Sequence, residues 1–324
     1  VMVVNVQNGV EVGTEIHYRH SENTNKPLLF LVNGLDHEKT NFDKALESLK
    51  DRFGSAVIPV QFPVNEGPDF NSFVDVIKMK MLKYPKEGGK PELLDIPADL
   101  QDKAAEWQNE LIEKAAENDE SLMEIFFEND TLSEDEMRKG IAAGLLQRGM
   151  YPVFCSSGKN NMGVDRLMEF LVNAAPSPAD CPGMETTEGE VISTDASKPA
   201  SLFVFKSSME EHIGEINYFR MVTGEVSENM DVMNVNTSSK ERLSQLYVCA
   251  GKHRTKVGKM VAGDIGAAVK LKSTKTNHTM AASGVDYQFK PIPFPEPKYR
   301  SAIKPLSEGD EEKLGEGLSR MHME

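Results

Sequence analysis

The stretch LLFLVNGLDHEKTNF (residues 28–42) contains the signals that decide the fold. Its first five residues are apolar, as in a short strand buried on both faces. The strand pattern stops at Asn33, and a polar loop containing Asp36 precedes a helical pattern that begins near Asn41. A polar loop at the end of a buried strand suits the reading of a nucleotide base, and the Gly at position 34 is the unusual residue in it.

Four apolar runs have the length and β-branched content of buried parallel strands. They cover residues 1–6, 28–32, 56–61 and 151–156. Helical patterns follow three of these runs, and residues 41–53 place their apolar side chains on one helix face. This alternation predicts an α/β domain with a mainly parallel sheet, which we assign to residues 1–180.

A charged, helix-rich segment interrupts this pattern, and we predict an insertion within the α/β domain at about residues 62–148. Residues 101–140 hold 13 Asp or Glu against 4 Lys or Arg. Ser133 and Glu136 have the spacing of a helix capping box. A solvated acidic face is the simplest interpretation of this charge.

The second half of the chain has shorter periods. A linker rich in Pro and Ser is predicted at residues 174–199. Six short strand-like runs follow, separated by Gly, Asn, Ser and Asp, and they predict a small antiparallel β-barrel at residues 187–288. A second linker, KPIPFPEPKY (290–299), leads to a predicted strand at 301–304 and a final helix. Residues 289–324 are therefore expected to start an α+β domain.

Composition limits the classes of function. The net charge of −15 argues against a protein whose whole surface is basic and coats nucleic acid, so any RNA contact must be local. Three widely spaced cysteines indicate neither a disulfide framework nor a zinc site, and they favour a reducing cytoplasm. No apolar run approaches the roughly 20 residues of a membrane helix, and no signal peptide is recognised. Both ends of the chain read as cut.

The order of these parts resembles bacterial elongation factor G, the ribosomal translocase of the translational GTPase family. The segments that carry the resemblance are NGLD (33–36), DIPADLQDKAAEWQNELIEKAAENDESLME (95–124), CSSGK (155–159), EEHIGEINYFRMVTGEV (210–226) and FPEPKYRSAIKPLSEGDEEK (294–313). The resemblance runs through the whole chain. It implies a fragment of a cytoplasmic, monomeric protein that binds GTP and the ribosome and promotes translocation of tRNA and mRNA.

By this resemblance, Asn33 and Asp36 belong to the loop that reads guanine, and Ser157 and Gly158 belong to a second guanine loop. The Asp carboxylate would accept two N–H donors from the guanine edge, a contact that adenine cannot match, while the Asn braces neighbouring loops. Asn-Gly and Asp are also common turn residues, so a simple turn is the alternative.

The family has a Lys at the position of Gly34, and its side-chain stem covers the base. Loss of that cover predicts roughly tenfold to a hundredfold weaker binding of GTP or GDP. Whether His37 or Lys159 covers the base instead stays open at this stage. Gly34 also supports a second hypothesis, a ribosome-binding homologue with a degenerate nucleotide site that acts without hydrolysis. A ribosome-protection factor is a third, less favoured hypothesis.

The phosphate-loop pattern G-x-x-x-x-G-K-[ST] and the family's Asp-x-Pro-Gly-His do not occur in the sequence. No catalytic residue is therefore predicted, and this chain is not expected to hydrolyse GTP alone. No metal site is predicted either, because the resemblance places the magnesium ligands in the parent protein only.

Positive charge concentrates in the predicted barrel, where it suggests local contact with ribosomal RNA phosphates. The candidate RNA-contact residues are Lys240, Arg242, Lys252, Arg254 and Lys256. A solvated barrel rim is the alternative interpretation. The resemblance also implies the ribosomal stalk protein as a partner of the acidic insertion.

Overall fold

The computed structural model describes residues 1–86, 88–210, 214–307 and 309–323. It divides into two compact units, Val1–Pro176 and Ser177–Glu324. The predicted domain ranges and the quoted segments include Glu87, residues 211–213, Glu308 and Glu324, which lie outside the described residues. The division falls near the predicted end of the α/β domain, while the other predicted boundaries stay predictions.

In its described part, the first unit contains eight strands and six α-helices. The strands are β1 (Met2–Asn5), β2 (Phe30–Asn33), β3 (Val57–Pro59), β4 (Gln61–Pro63), β5 (Ser72–Asp75), β6 (Lys80–Lys83), β7 (Glu92–Leu94) and β8 (Tyr151–Ser156). The helices are α1 (Val12–Asn23), α2 (Phe42–Phe53), α3 (Gln101–Ala116), α4 (Glu120–Asn129), α5 (Glu134–Gln147) and α6 (Val164–Ala174).

The four predicted parallel strands are confirmed, and they form one sheet in the order β1-β2-β8-β3. Every residue of β8 is buried, as expected for a parallel strand covered on both faces. The register of β2 and β8 pairs Asn33 with Ser156. Because both are the last residues of parallel strands, the two loops that follow leave the same edge of the sheet.

The insertion is only partly as predicted. Helices α3, α4 and α5 confirm the helical part, and Ser133 and Glu136 form the predicted capping box at the start of α5. The residues before them form an antiparallel sheet in the order β4-β5-β6-β7, which the description as helix-rich missed. These strands have only three or four residues each, too few to show a period-2 pattern.

The second unit contains twelve strands and one α-helix among the residues that the structure describes. They are β9 (Met184–Glu185), β10 (Val191–Ile192), β11 (Ser201–Glu210), β12 (Gly214–Thr223), β13 (Glu225–Ser227), β14 (Met230–Asn234), β15 (Ser239–Leu243), β16 (Leu246–Ala250), β17 (His253–Val257), β18 (Lys259–Val261), β19 (Ile265–Val269), β20 (Thr279–Ala281) and α7 (Glu311–Met323).

Eight of these strands form one antiparallel sheet in the order β15-β14-β20-β11-β12-β19-β16-β17. The turn after β13 joins the two ends of that sheet. Glu228 N–H donates to the Gly258 carbonyl after β17 (2.9 Å), and Asn229 N–H donates to the Leu243 carbonyl on β15 (2.7 Å). Leu243 shares one buried core with Phe219 on the central strand β12. The sheet therefore curls around its interior, as expected for a barrel.

Two expectations for this unit need correction. The predicted linker at 174–199 contains a short pair of strands, β9 and β10. The predicted strand at 301–304 is wrong, because these residues have no regular secondary structure. Ile303 is 57% exposed, and the nearby Pro305 lacks the N–H that would extend a ladder.

Gly224 and Gly251 give a matched test of the barrel. Both have positive φ, +63° and +59°, but a Cβ on Gly224 would press against the backbone of Lys198 and Ala200, whereas Gly251 has nothing within 4 Å. We expect Gly224→Ala to lower the free energy of unfolding by about 1–3 kcal/mol more than Gly251→Ala, since only the former adds overpacking to strain. Urea denaturation followed by circular dichroism measures the difference, and equal losses would contradict it.

Candidate functional site

The candidate site lies at the carboxyl edge of the parallel sheet, where two loops meet. The first loop (residues 34–41) follows β2, and the second loop (residues 157–163) follows β8. Ligands of open α/β sheets bind at this edge. The register of β2 and β8 therefore brings all four predicted guanine-site residues to one place.

The Asn33 side chain joins the two loops. Its Oδ1 accepts hydrogen bonds from the Gly158 N–H (2.8 Å) and from the Ser156 hydroxyl (3.1 Å). In return, the Ser156 carbonyl accepts from the N–H groups of Gly34 (3.1 Å) and Leu35 (3.3 Å). Asn33 thus has the bracing role that the sequence suggested for it.

The second loop is closed by its own residues. Ser157 and Met162 exchange two backbone hydrogen bonds of 3.0 Å, and the buried Ser157 hydroxyl accepts from the Asn160 N–H (3.2 Å). The Ser157 side chain therefore shapes the loop. Gly158 is exposed, and its N–H donates to Asn33. A Cβ at position 158 would lie 3.3 Å from the same Asn33 Oδ1.

Asp36 supplies the clearest sign of a ligand. Its Oδ1 is screened from solvent and has no hydrogen-bond partner among the described residues. The loop around it is firmly held, because Leu35 is fully buried and its carbonyl accepts from the Gly67 N–H (2.8 Å). A buried carboxylate oxygen without a donor costs free energy, and a rotation of the Asp36 side chain toward a ligand that brings N–H groups would remove this cost. The guanine edge, with two neighbouring N–H donors, is such a ligand.

The structure gives a physical reason for Gly34. Its φ is +90°, a backbone conformation that residues other than Gly rarely adopt. A Cβ at this position would lie 2.9 Å from Cδ2 of His37, so the imidazole ring occupies the space in front of Gly34. The His37 N–H donates to the Gly34 carbonyl (3.0 Å), which holds both residues in one turn.

Two buried residues behind the second loop complete the site. Burial raises the pKa of the Cys155 thiol well above its usual value, so it behaves as an apolar group. The Cys155 N–H donates to Oε1 of Gln61 (3.0 Å), and Gln61 is fully buried. The sequence analysis did not select Gln61. Its signal was a polar amide at the end of the apolar run 56–61.

The candidate RNA-contact residues lie on β15, on β17 and in the turn before β17. Three of them are paired with carboxylates: Lys240 with Asp231 (3.0 Å), Lys256 with Glu228 (2.6 Å) and Arg254 with Glu210. The hydrogen bond from Lys240 lowers the pKa of Asp231 from its usual value. Arg242 and Lys252 are exposed. Much of the positive charge in this part of the barrel is therefore balanced by neighbouring acids.

Neither a metal-binding cluster nor a membrane-spanning helix is found in the part of the chain that the structure describes. There, no three or more His, Cys, Asp or Glu side chains are grouped so that they could hold a metal ion. In the same residues, no helix combines the length and the apolar character needed to cross a membrane.

The parallel α/β unit, with its two loops at residues 34–41 and 157–163, and the antiparallel barrel that follows it match the class of translation elongation factors with a GTP-binding domain. The chain belongs to the family of elongation factor Tu GTP binding domains, whose model matches residues 1–177. Residues 199–283 match the model of elongation factor G domain 2. Members of this family bind GTP or GDP and act on the ribosome.

A crystal structure of a protein from Thermus thermophilus has the same fold. Its TM-score is 0.80 with 24% sequence identity, and the match covers 99% of this chain and 46% of that chain. This chain thus spans about half the length of that protein.

Replacing Asn33 tests the joint between the loops. Asn33→Ala removes the acceptor for the Gly158 N–H and the Ser156 hydroxyl. We expect the free energy of unfolding to fall by about 1–3 kcal/mol and the Gly158 amide to exchange faster with solvent. Denaturation and hydrogen exchange measure these effects. Asn8→Ala is the control, since the Asn8 side chain donates to the exposed Glu11, and equal effects of the two variants would contradict the assignment.

The backbone at Gly34 gives a second test. Gly34→Ala places a Cβ against His37 at a positive φ, and we expect it to lower the free energy of unfolding by about 1–3 kcal/mol. Gly13→Ala is the control, because Gly13 lies in helix α1 with nothing within 4 Å, and an Ala there adds stability. Thermal unfolding distinguishes the two. A Gly34→Ala variant as stable as the unmodified chain would show that the loop is not constrained.

Proposed function

We propose that this chain is the guanine-reading part of an elongation factor G-like translational GTPase, which binds the ribosome and promotes translocation of tRNA and mRNA. Membership of the family supports GTP or GDP as the nucleotide. The match of residues 199–283 to elongation factor G domain 2 supports the translocase over other members of the class.

The observation that carries the proposal is the unpartnered Oδ1 of Asp36 beside a loop joint made by Asn33. In the proposed complex, the Asp36 carboxylate accepts the two N–H groups of the guanine edge. Adenine offers a different pattern of donors and acceptors, so the contact selects for guanine. Ser157 and Gly158 shape the neighbouring loop that closes over the base.

A homologue that acts on the ribosome with a weakened nucleotide site is the second candidate. The conformation of Gly34 favours it, since a side chain at position 34 would be strained at this positive φ and its Cβ would meet the His37 ring. The base would then lack the aliphatic cover expected from the family.

Nucleotide titration with an altered-specificity variant tests the guanine site. The 324-residue chain is titrated with fluorescent GDP, using GDP, ADP and xanthosine diphosphate as competitors. We expect at least about tenfold preference for GDP over ADP, because one bidentate contact contributes about 1–3 kcal/mol of discrimination. Asp36→Asn exchanges an acceptor for a donor, and xanthine replaces the guanine amine with a carbonyl. This variant is therefore expected to prefer xanthosine diphosphate.

Three outcomes separate the candidates. A specificity that follows the Asp36→Asn change supports a working guanine site. GDP binding that is equally good in both forms would refute Asp36 as the reading residue. No selective binding of any purine nucleotide, together with retained sedimentation with ribosomes, would support the second candidate.

Contact with the ribosome has its own test. We expect Arg242→Ala with Lys252→Ala to weaken sedimentation with ribosomes. The slope of the logarithm of the binding constant against the logarithm of salt concentration is expected to fall in magnitude by about one per lost phosphate contact. Lys259→Ala with Lys290→Ala is the matched control, because these two lysines are already paired with Glu225 and Glu185. Equal losses in the two variants would argue for a non-specific effect of charge.

A further inference from the structure

Strand β8 extends beyond the end of its neighbour β3. Pro59 is the last residue of β3 in register with β8, opposite Val153. The Val60 N–H still donates to the Val153 carbonyl (3.1 Å), but the Val60 carbonyl accepts from the Val76 N–H of the insertion (3.0 Å). The Val60 carbonyl is therefore hydrogen-bonded to the insertion and not to β8.

Gln61 supplies the missing acceptor from the insertion. Its Oε1 accepts from the Cys155 N–H (3.0 Å), and its Nε2 donates to Oδ2 of Asp75 (3.1 Å). The same Asp75 oxygen accepts from Nε of Arg166 (2.7 Å). Gln61 and Asp75 are fully buried, and Arg166 is 5% exposed. Hydrogen bonds between such groups are strong and costly to break.

These contacts lie on both sides of the second loop in the chain. Cys155 lies two residues before the second loop, and Arg166 lies in the first turn of α6, three residues after it. One buried Gln61–Asp75 pair in the insertion therefore holds both flanks of the second loop. On the same side, the Tyr84 hydroxyl donates to Oδ1 of Asp165 (2.6 Å).

A third contact lies at the tip of the hairpin between β6 and β7. A Cβ on Gly88 would lie 2.5 Å from the carbonyl oxygen of Asn160, in the middle of the second loop. The neighbouring Gly89 has nothing within 4 Å. The insertion thus contacts the second loop at its middle and holds the residues on both sides of it.

We propose that the β-hairpins of the insertion position the second loop for the nucleotide, with Gln61 as the positioning residue before it and Gly88 as the contact at its middle. This proposal rests on the proposed guanine site. Changes in the insertion would alter the affinity for guanine nucleotides without touching the base.

Gly88 and Gly89 provide the first test. Both have positive φ, +75° and +114°, so an Ala is strained at either position, but only Gly88→Ala pushes on the Asn160 carbonyl. We expect Gly88→Ala to speed hydrogen exchange of the Gly158 and Met162 amides by about tenfold and to weaken GDP binding by a similar factor. Gly89→Ala is expected to change neither. Equal behaviour of the two variants would overturn the proposal.

Gln61→Leu is the second test, because it leaves the Cys155 N–H without an acceptor at nearly the same side-chain volume. We expect the same faster exchange in the second loop, at least about tenfold. Gln61→Glu keeps an oxygen for Cys155 but replaces the donor to Asp75 with a second buried carboxylate, so it is expected to speed exchange at least as much as Gln61→Leu. Ile112→Val, a buried change on α3 away from the loop, controls for a general loss of stability.

The two readouts separate this proposal from the proposed function. Faster loop exchange in Gly88→Ala and Gln61→Leu, in a chain that binds no guanine nucleotide, would keep the positioning of the loop but remove its role in nucleotide binding. Unchanged exchange and unchanged GDP affinity in both variants would reject the positioning role and leave the guanine site intact. If Gln61→Leu does not fold, the glycine pair decides alone.

Discussion

The carboxamide oxygen of Asn33 is the point on which the candidate site depends. It accepts from the Gly158 N–H and the Ser156 hydroxyl, and these bonds join loops that are more than 120 residues apart in the chain. The joint is available because β2 and β8 are paired in register, with Asn33 opposite Ser156. Parallel neighbours end at the same sheet edge, so one side chain can span both loops. Asp36 is held close to this joint with its Oδ1 buried.

Hydrogen bonding explains why the site can hold polar groups in its interior. Ser156, Ser157, Gln61 and Asp75 are buried, and hydrogen bonds described above satisfy each of them. Asp36 Oδ1 is the contrasting case in the same region, since it is buried without a partner among the described residues. Native proteins leave few such atoms unpaired, and those that occur call for an explanation. A ligand with N–H donors supplies one.

Much of the fold was predictable because its signals are local. Apolar runs of five or six residues marked β2 and β8, and helical periodicity marked α2. The strands β4–β7 were missed, because strands of three or four residues show no reliable period. The prediction of a strand at 301–304 is wrong. The apolar Ile303 near Pro305 resembles the pattern of an edge strand, but this segment pairs with no strand among the described residues. In the candidate site, the spacing of Asn33 and Asp36 after a buried strand predicted a base-reading loop, and their guanine role stays a prediction. Gln61 was not predicted.

The sequence by itself determined the α/β alternation, the barrel and the residue types of the two loops, because these depend on neighbours within about ten residues. Only the tertiary structure shows why this turn favours Gly at position 34, since its φ of +90° and the nearby His37 ring are set by the folded turn. It also decided that several of the barrel's basic residues are paired with acids, and that Gln61 supports the second loop. Such contacts join distant positions, and a hydrogen bond or an ion pair between them leaves no pattern in one sequence.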